Sequence, residues 1–288
     1  MKTTPLSKNN WLERSILAIF FIAIGAAIVY FFNPWQYETI LPRTTDYLLK
    51  IGVCVFLMVA SLLVRNSQRL HAYWQLLFAL FVLTLVYMLD LMVNIYVLDY
   101  LNISVDSPAT IALQKLNEAL LVISLVMGCT LASGNDLGSI YIQKGNWKPG
   151  LKIGLIAFFL AALLSIPMAT FFNTQNLTIS RALPWIPWVL IFVLANAALE
   201  ETLFRGLFLR KLERFFGKHL SNVFIAVVFT LIHGAASYPR DQYAFLVVVF
   251  PLALAWGYIT QKTEGLWGSI LFHAGMDIPI ILSVFSTL

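Results

Sequence analysis

Nine apolar stretches dominate this chain, at 13–33, 46–64, 72–98, 110–132, 151–172, 184–207, 221–238, 243–261 and 266–286. Most run for about the 20 residues that a helix needs to cross the hydrocarbon core of a bilayer. In lipid every backbone N–H and C=O must find its partner inside the protein, so stretches of this kind fold as helices. The expected fold is all-α, a polytopic transmembrane helix bundle with about nine spans, or eight if one early segment is miscounted. The fourth stretch is the least regular, because Gln114, Lys115, Asn117 and Glu118 interrupt its start. A soluble globular alternative fails on composition. Charged residues make up 11% and hydrophobic ones 60%, against about 25% and 45–50% in soluble domains.

The first stretch has the positive flank of a secretory signal, Lys2, Lys8 and Arg14. Its apolar run Ser15–Phe32 is longer than the roughly 7–15 residues of a signal core, and no small-x-small cleavage site follows it. It reads as an uncleaved first span. The net charge of +5 points to loop asymmetry, not to nucleic acid. Threading the nine spans puts 14 Lys and Arg on one side and four on the other, with Lys115 left inside a span. The basic side includes Lys2, Lys8, Arg14, Arg65, Arg69, Lys144, Lys148, Lys152, Arg205, Arg210, Lys211, Arg214, Lys218 and Lys262. The other side has Arg43, Lys50, Arg181 and Arg240, together with Asp99 and Asp106. Excess Lys and Arg mark cytoplasmic loops, so the N-terminus is expected in the cytoplasm and the surrounding partner is the lipid bilayer.

The loops are short and leave no room for a soluble domain. Residues 1–145 read as an N-terminal extension of four spans, and 146–288 as five spans that hold all the candidate chemistry. The segment Gly134–Pro149 is the expected connector. Cys54 and Cys129 fall inside apolar runs without metal-type spacing and read as buried free thiols.

The chemistry concentrates where apolar spans carry ionisable residues, a costly placement that marks a functional candidate. The sixth stretch ends in Glu200 and Glu201, followed by Arg205. Glu201 and Arg205 are at i,i+4 and can pair on one helix face. Glu200 points about 100° away and is free for another task. Of the four histidines, His71 and His219 lie in basic loops, whereas His233 and His273 lie in the seventh and ninth stretches. His273 and Asp277 are also at i,i+4. Gly268, Ala274 and Gly275, and likewise Gly234, Ala235 and Ala236, are small enough to let helices approach closely. Close packing would bring Glu200, His233, His273 and Asp277 into one polar pocket.

Such a pocket suits hydrolysis by an activated water. A carboxylate among apolar side chains is a stronger base than one in water. Alternatively, His233, His273 and Asp277 can hold Zn2+ and leave a position for water. A second imidazole or a carboxyl group near the developing charge can stabilise a tetrahedral oxyanion. No serine or cysteine is placed as a nucleophile.

Glu200-Glu201-x-x-x-Arg205, Phe229-x-x-x-His233 and His273-x-x-x-Asp277 resemble the three motifs of the CAAX protease and bacteriocin-processing family of intramembrane proteases, which includes the type II CAAX prenyl endopeptidases. The resemblance covers roughly 146–288. It implies a protease in a bacterial inner membrane acting on a membrane-associated peptide or protein. By that resemblance Glu200 activates water with help from His233, and His273 and Asp277 bind the oxyanion or a metal. Glu201 and Arg205 form a structural ion pair. The last position is Asn in the prenyl-protein proteases and Asp277 here, which bears on the substrate more than on the activity. An ionised Asp277 would repel an oxyanion, so it would act protonated, through a metal or through His273. The position of Glu200 near the cytoplasmic end of the sixth stretch suits a substrate presented from the cytoplasmic leaflet.

Two other classes compete. A transporter could use the polar spans as an ion route, but no repeated halves are visible in the sequence. A non-catalytic relative, acting in bacteriocin self-immunity or as a scaffold, would keep the fold without the chemistry, although every motif position is filled here. Smaller polar features read as structural: Asp90 with Asn94, Lys115 with Glu118, a kink at Pro251, and Trp185, Trp188, Trp256 and Trp267 as interfacial aromatics.

Overall fold

A computed structural model describes residues 11–32, 41–101 and 107–288 of the chain, without the side chains of 94–101 and a few others. Lys2, Lys8 and Asp106, and the side chains of Asn94 and Asp99, lie outside the described residues. The described residues form helices with no strand. They are α1 (Trp11–Phe32), α2 (Arg43–Asn66), α3 (Trp74–Leu101), α4 (Pro108–Ala132), α5 (Trp147–Leu163), the short α6 (Ser165–Ala169) and α7 (Ile179–Ala182), α8 (Ile186–Glu201), α9 (Arg210–Ile232), α10 (Gln242–Thr263) and α11 (Trp267–Ser286). A π-helical segment, Thr202–Leu209, joins α8 to α9. The chain is an all-α, multi-pass membrane bundle.

Seven helical stretches are long and apolar enough to cross a membrane. The sequence shows nine because of two differences. The fifth expected span is divided between α5, of 17 residues, and α6. The sixth and seventh belong to one helical run of 57 residues, Ile179–Ala235. Straight, that run would be about 85 Å long, far more than a bilayer core of about 30 Å. It does not run straight. Gly217 breaks it at φ 75° and ψ 172°, a conformation glycine reaches without steric cost. The chain doubles back there, so that Phe204 and Phe229 meet edge to face with ring centroids 5.1 Å apart.

Polar contacts sort the connections onto two ends of the bundle. At one end Arg14 donates to Phe215 O, Arg210 donates to Gly138 O and pairs with Glu264, and Gln143 donates to Glu264 O. At the other, Gln175 N donates to Ser286 Oγ at 2.9 Å and Phe172 bridges to Pro239. The expected connector is held firmly at the first end. Within it Tyr141 is buried under the Arg210 guanidinium and donates to Glu213 at 2.8 Å. Burial, with Glu213 beside it, raises the Tyr141 phenol above its ordinary value.

The tightest helix pair is α5 against α11. A Cβ on Gly268 would come within 2.7 Å of Gly150 O, and one on Gly275 within 2.7 Å of Phe158 Cα. Any side chain there would push the helices apart, which would displace His273 and Asp277. Gly234 does not act this way: a Cβ on it would meet nothing within 4 Å. It lies exposed in the turn after His233.

Candidate active site

Four elements supply the ionisable groups. Glu200 and Glu201 end α8, Arg205 lies in the π-helical segment, His233 follows α9, and His273 and Asp277 lie on α11. A π-helical turn is uncommon and is found mostly at functional sites. All eight of its residues are buried here.

Glu201 and Arg205 form a fully buried ion pair at 2.9 Å. Arg205 also donates to Ala253 O at 3.0 Å and lies over the rings of Phe229 and Trp256. His273 Nδ1 lies 2.9 Å from Glu201 Oε1. A carboxylate paired with an arginine only accepts, so Nδ1 carries the proton and donates. The indole of Trp256 stacks on His273 with centroids 4.0 Å apart and planes at 10°. The ring is thereby fixed in position, with Nδ1 protonated. Its other nitrogen, Nε2, lies 3.6 Å from both Glu200 Oε2 and Asp277 Oδ1. Asn196, one turn before Glu200, donates to Asp277 Oδ2 at 3.0 Å.

His233 Nδ1 lies 2.8 Å from Phe229 O. A carbonyl only accepts, so Nδ1 donates, and in the neutral ring Nε2 is the basic nitrogen. Glu200 is buried, and its Oε2 makes no hydrogen bond among the described residues. Each of the adjacent carboxylates keeps an unbonded Oε2, but Glu201 is held through Oε1 by Arg205 and His273 away from the cavity, whereas Glu200 lines it.

Glu200, His233, His273 and Asp277 line one cavity of about 630 Å³. Asn196, Lys115 and Trp256 line it too, and the remaining walls are largely aromatic and aliphatic. Glu201 and Arg205 are not on its surface. Lys115 comes from α4 and pairs with Glu118 at 2.5 Å, so the N-terminal half contributes a wall. Among the described residues no three His, Cys, Asp or Glu side chains converge closely enough to hold a metal ion. His233, His273 and Asp277 share the cavity without forming a ligand set of that kind.

Three features differ from expectation. Trp256 is 3% exposed and stacks on His273; it does not sit in an interfacial belt. Apolar spacing cannot distinguish an indole in the core from one at the interface. Glu200 does not end a span. Helix continues past it to Gly217, so it lies about 21 Å from the start of α8 and at similar distance from the reversal. The cavity, moreover, leads from Glu200 away from the basic end. Asn196 was absent from the expected set; its i−4 spacing from Glu200 was visible, but its bond to Asp277 on another helix was not.

Residues 182–279 match the family described as type II CAAX prenyl endopeptidase Rce1-like. The match covers all three motifs and supports an intramembrane protease of the CAAX type. No curated protein matches the chain, and no solved structure does.

Proposed function

We propose that this chain, whose residues 182–279 carry an Rce1-like domain of the CAAX protease and bacteriocin-processing family, is an endopeptidase that hydrolyses a peptide bond of a membrane-associated substrate with water activated by Glu200 and His233. The observation that carries this reading is the convergence of Glu200, His233, His273 and Asp277 on one cavity. Glu200 Oε2 accepts a hydrogen bond from the attacking water and takes its proton as the oxygen adds to the carbonyl carbon. His233, held by Phe229 O, orients the same water through Nε2. The tetrahedral oxyanion faces His273, which in its doubly protonated form donates from Nε2. Glu201 and Asn196 act one step removed, by fixing His273 and Asp277. Collapse of the intermediate breaks the C–N bond, and the proton held by Glu200 passes to the leaving amine. The products are a carboxylate and an amine.

This scheme needs no metal: Glu200 supplies the base and His233 orients the water. Purified protein and a single-span peptide in liposomes provide the test. His233→Ala is expected to lower the cleavage rate by roughly 100- to 10,000-fold, the range of general acid–base assistance, with unchanged insertion and melting. Cleavage at the parent rate by folded His233→Ala would remove this histidine from the mechanism.

A further inference from the structure

The basic end of the bundle and the mouth of the cavity lie at opposite ends. Lys144, Lys148, Arg214, Lys218 and Lys262 are exposed on the end where Arg14 meets Phe215 and Lys218 lies 3.6 Å from Glu264. The exposed lining of the cavity comes instead from Thr170, Phe171, Arg240, Asp241 and Ala244, with Val248 exposed further along α10. The first four sit where Arg240 N reaches Phe171 O and Asn173 N reaches Tyr238 O, both at 3.4 Å. Between Glu200 and the basic end lies Thr202–Leu209, buried at every residue. Leu212 and Leu266, also buried, close that side further. The cavity is therefore sealed towards the basic end and open towards the other, with a flank along α10 exposed at Val248.

Lys and Arg accumulate in cytoplasmic loops, and the exposed cations Lys144, Lys148, Arg214, Lys218 and Lys262 all lie at the sealed end. We propose, on the protease reading above, that the catalytic cavity opens at the non-cytoplasmic face of the membrane and that its substrate is a peptide segment presented from that face. A chain tethered to the cytoplasmic leaflet would meet the sealed end. The rim matches the occupant: Arg240 and Asp241 offer one charge of each sign to a polar backbone, and Phe172, Tyr238 and Phe245, with centroids 5.5–6.0 Å apart, offer an apolar wall leading to His233. Tyr238 is held as the neutral phenol, because burial raises it above its ordinary value.

Cysteine labelling tests this without reference to turnover. In the full chain carrying Cys54→Ala and Cys129→Ala, single cysteines are placed by Thr170→Cys, Arg240→Cys, Lys148→Cys and Lys262→Cys. Intact and permeabilised cells are treated with a membrane-impermeant maleimide. Thr170→Cys and Arg240→Cys are expected to label equally in both, and Lys148→Cys and Lys262→Cys only after permeabilisation. Met276→Cys, on the cavity wall, is expected to react in intact cells with a small charged methanethiosulfonate. Labelling of Lys262→Cys in intact cells overturns the orientation. Rim labelling with Met276→Cys inert, or reactive only after permeabilisation, overturns the opening. Loss of protease activity alone would bear on the proposed reaction and leave this pattern in place.

Discussion

Two buried charge pairs in this bundle look alike by sequence and differ in surroundings. On α2, Asp46 and Lys50 are at i,i+4, 2.6 Å apart and 0% and 1% exposed. Lys50 lies near the rings of Phe31 and Phe32, and neither partner lines the cavity that holds Glu200. Between α8 and α9, Glu201 and Arg205 are at i,i+4 and just as deeply buried. Here the pair supports a histidine, and that histidine faces a second carboxylate on a cavity wall. The lesson is that a buried charge in an apolar helix does not by itself identify a site. What does is an ionisable group left unbonded at the surface of a cavity, as Glu200 is.

The comparison breaks most sharply at Glu200. Glu200→Gln keeps the shape and removes the base, so cleavage is expected to fall by roughly 100- to 10,000-fold while melting in detergent is unchanged or higher. A fully active Glu200→Gln would make this carboxylate as structural as Asp46. Next come the pairs themselves. Arg205→Ala leaves Glu201 buried and unpaired, and should cost about 3–5 kcal/mol, read as a fall in melting temperature with loss of activity. Lys50→Met should also destabilise, by up to a similar amount, yet leave cleavage per folded molecule within about twofold. Loss of turnover in folded Lys50→Met would merge the two regions into one functional unit.

Smaller effects sharpen the boundary of the site. Asn196→Ala frees Asp277 from its amide and is expected to lower kcat by about tenfold, equivalent to about 1.4 kcal/mol, with KM nearly constant; a change confined to KM would make Asn196 a substrate contact. The smallest effect should come from chelation. Incubation with 1,10-phenanthroline is expected to leave the rate within about twofold and metal analysis to show no stoichiometric zinc; inhibition reversed by added zinc would return His233, His273 and Asp277 to the role of ligands.

The sequence alone determined a good deal. Apolar runs of bilayer length, with no water to satisfy an exposed backbone, permit only a helical bundle. The i,i+4 pairs Glu201–Arg205, Lys50–Asp46 and His273–Asp277 follow from helical spacing, and the close approach at Gly268 and Gly275 from their missing side chains. Tertiary structure decided the rest. That Glu201 holds His273, that Asn196 holds Asp277, that Trp256 stacks on an imidazole, and that the cavity is closed towards the basic end depend on contacts between residues far apart in the chain. Periodicity reports which face of a helix is apolar, but not the rotation and depth at which that helix meets its neighbours. Those are set by packing, here by glycines between α5 and α11 and by the reversal at Gly217.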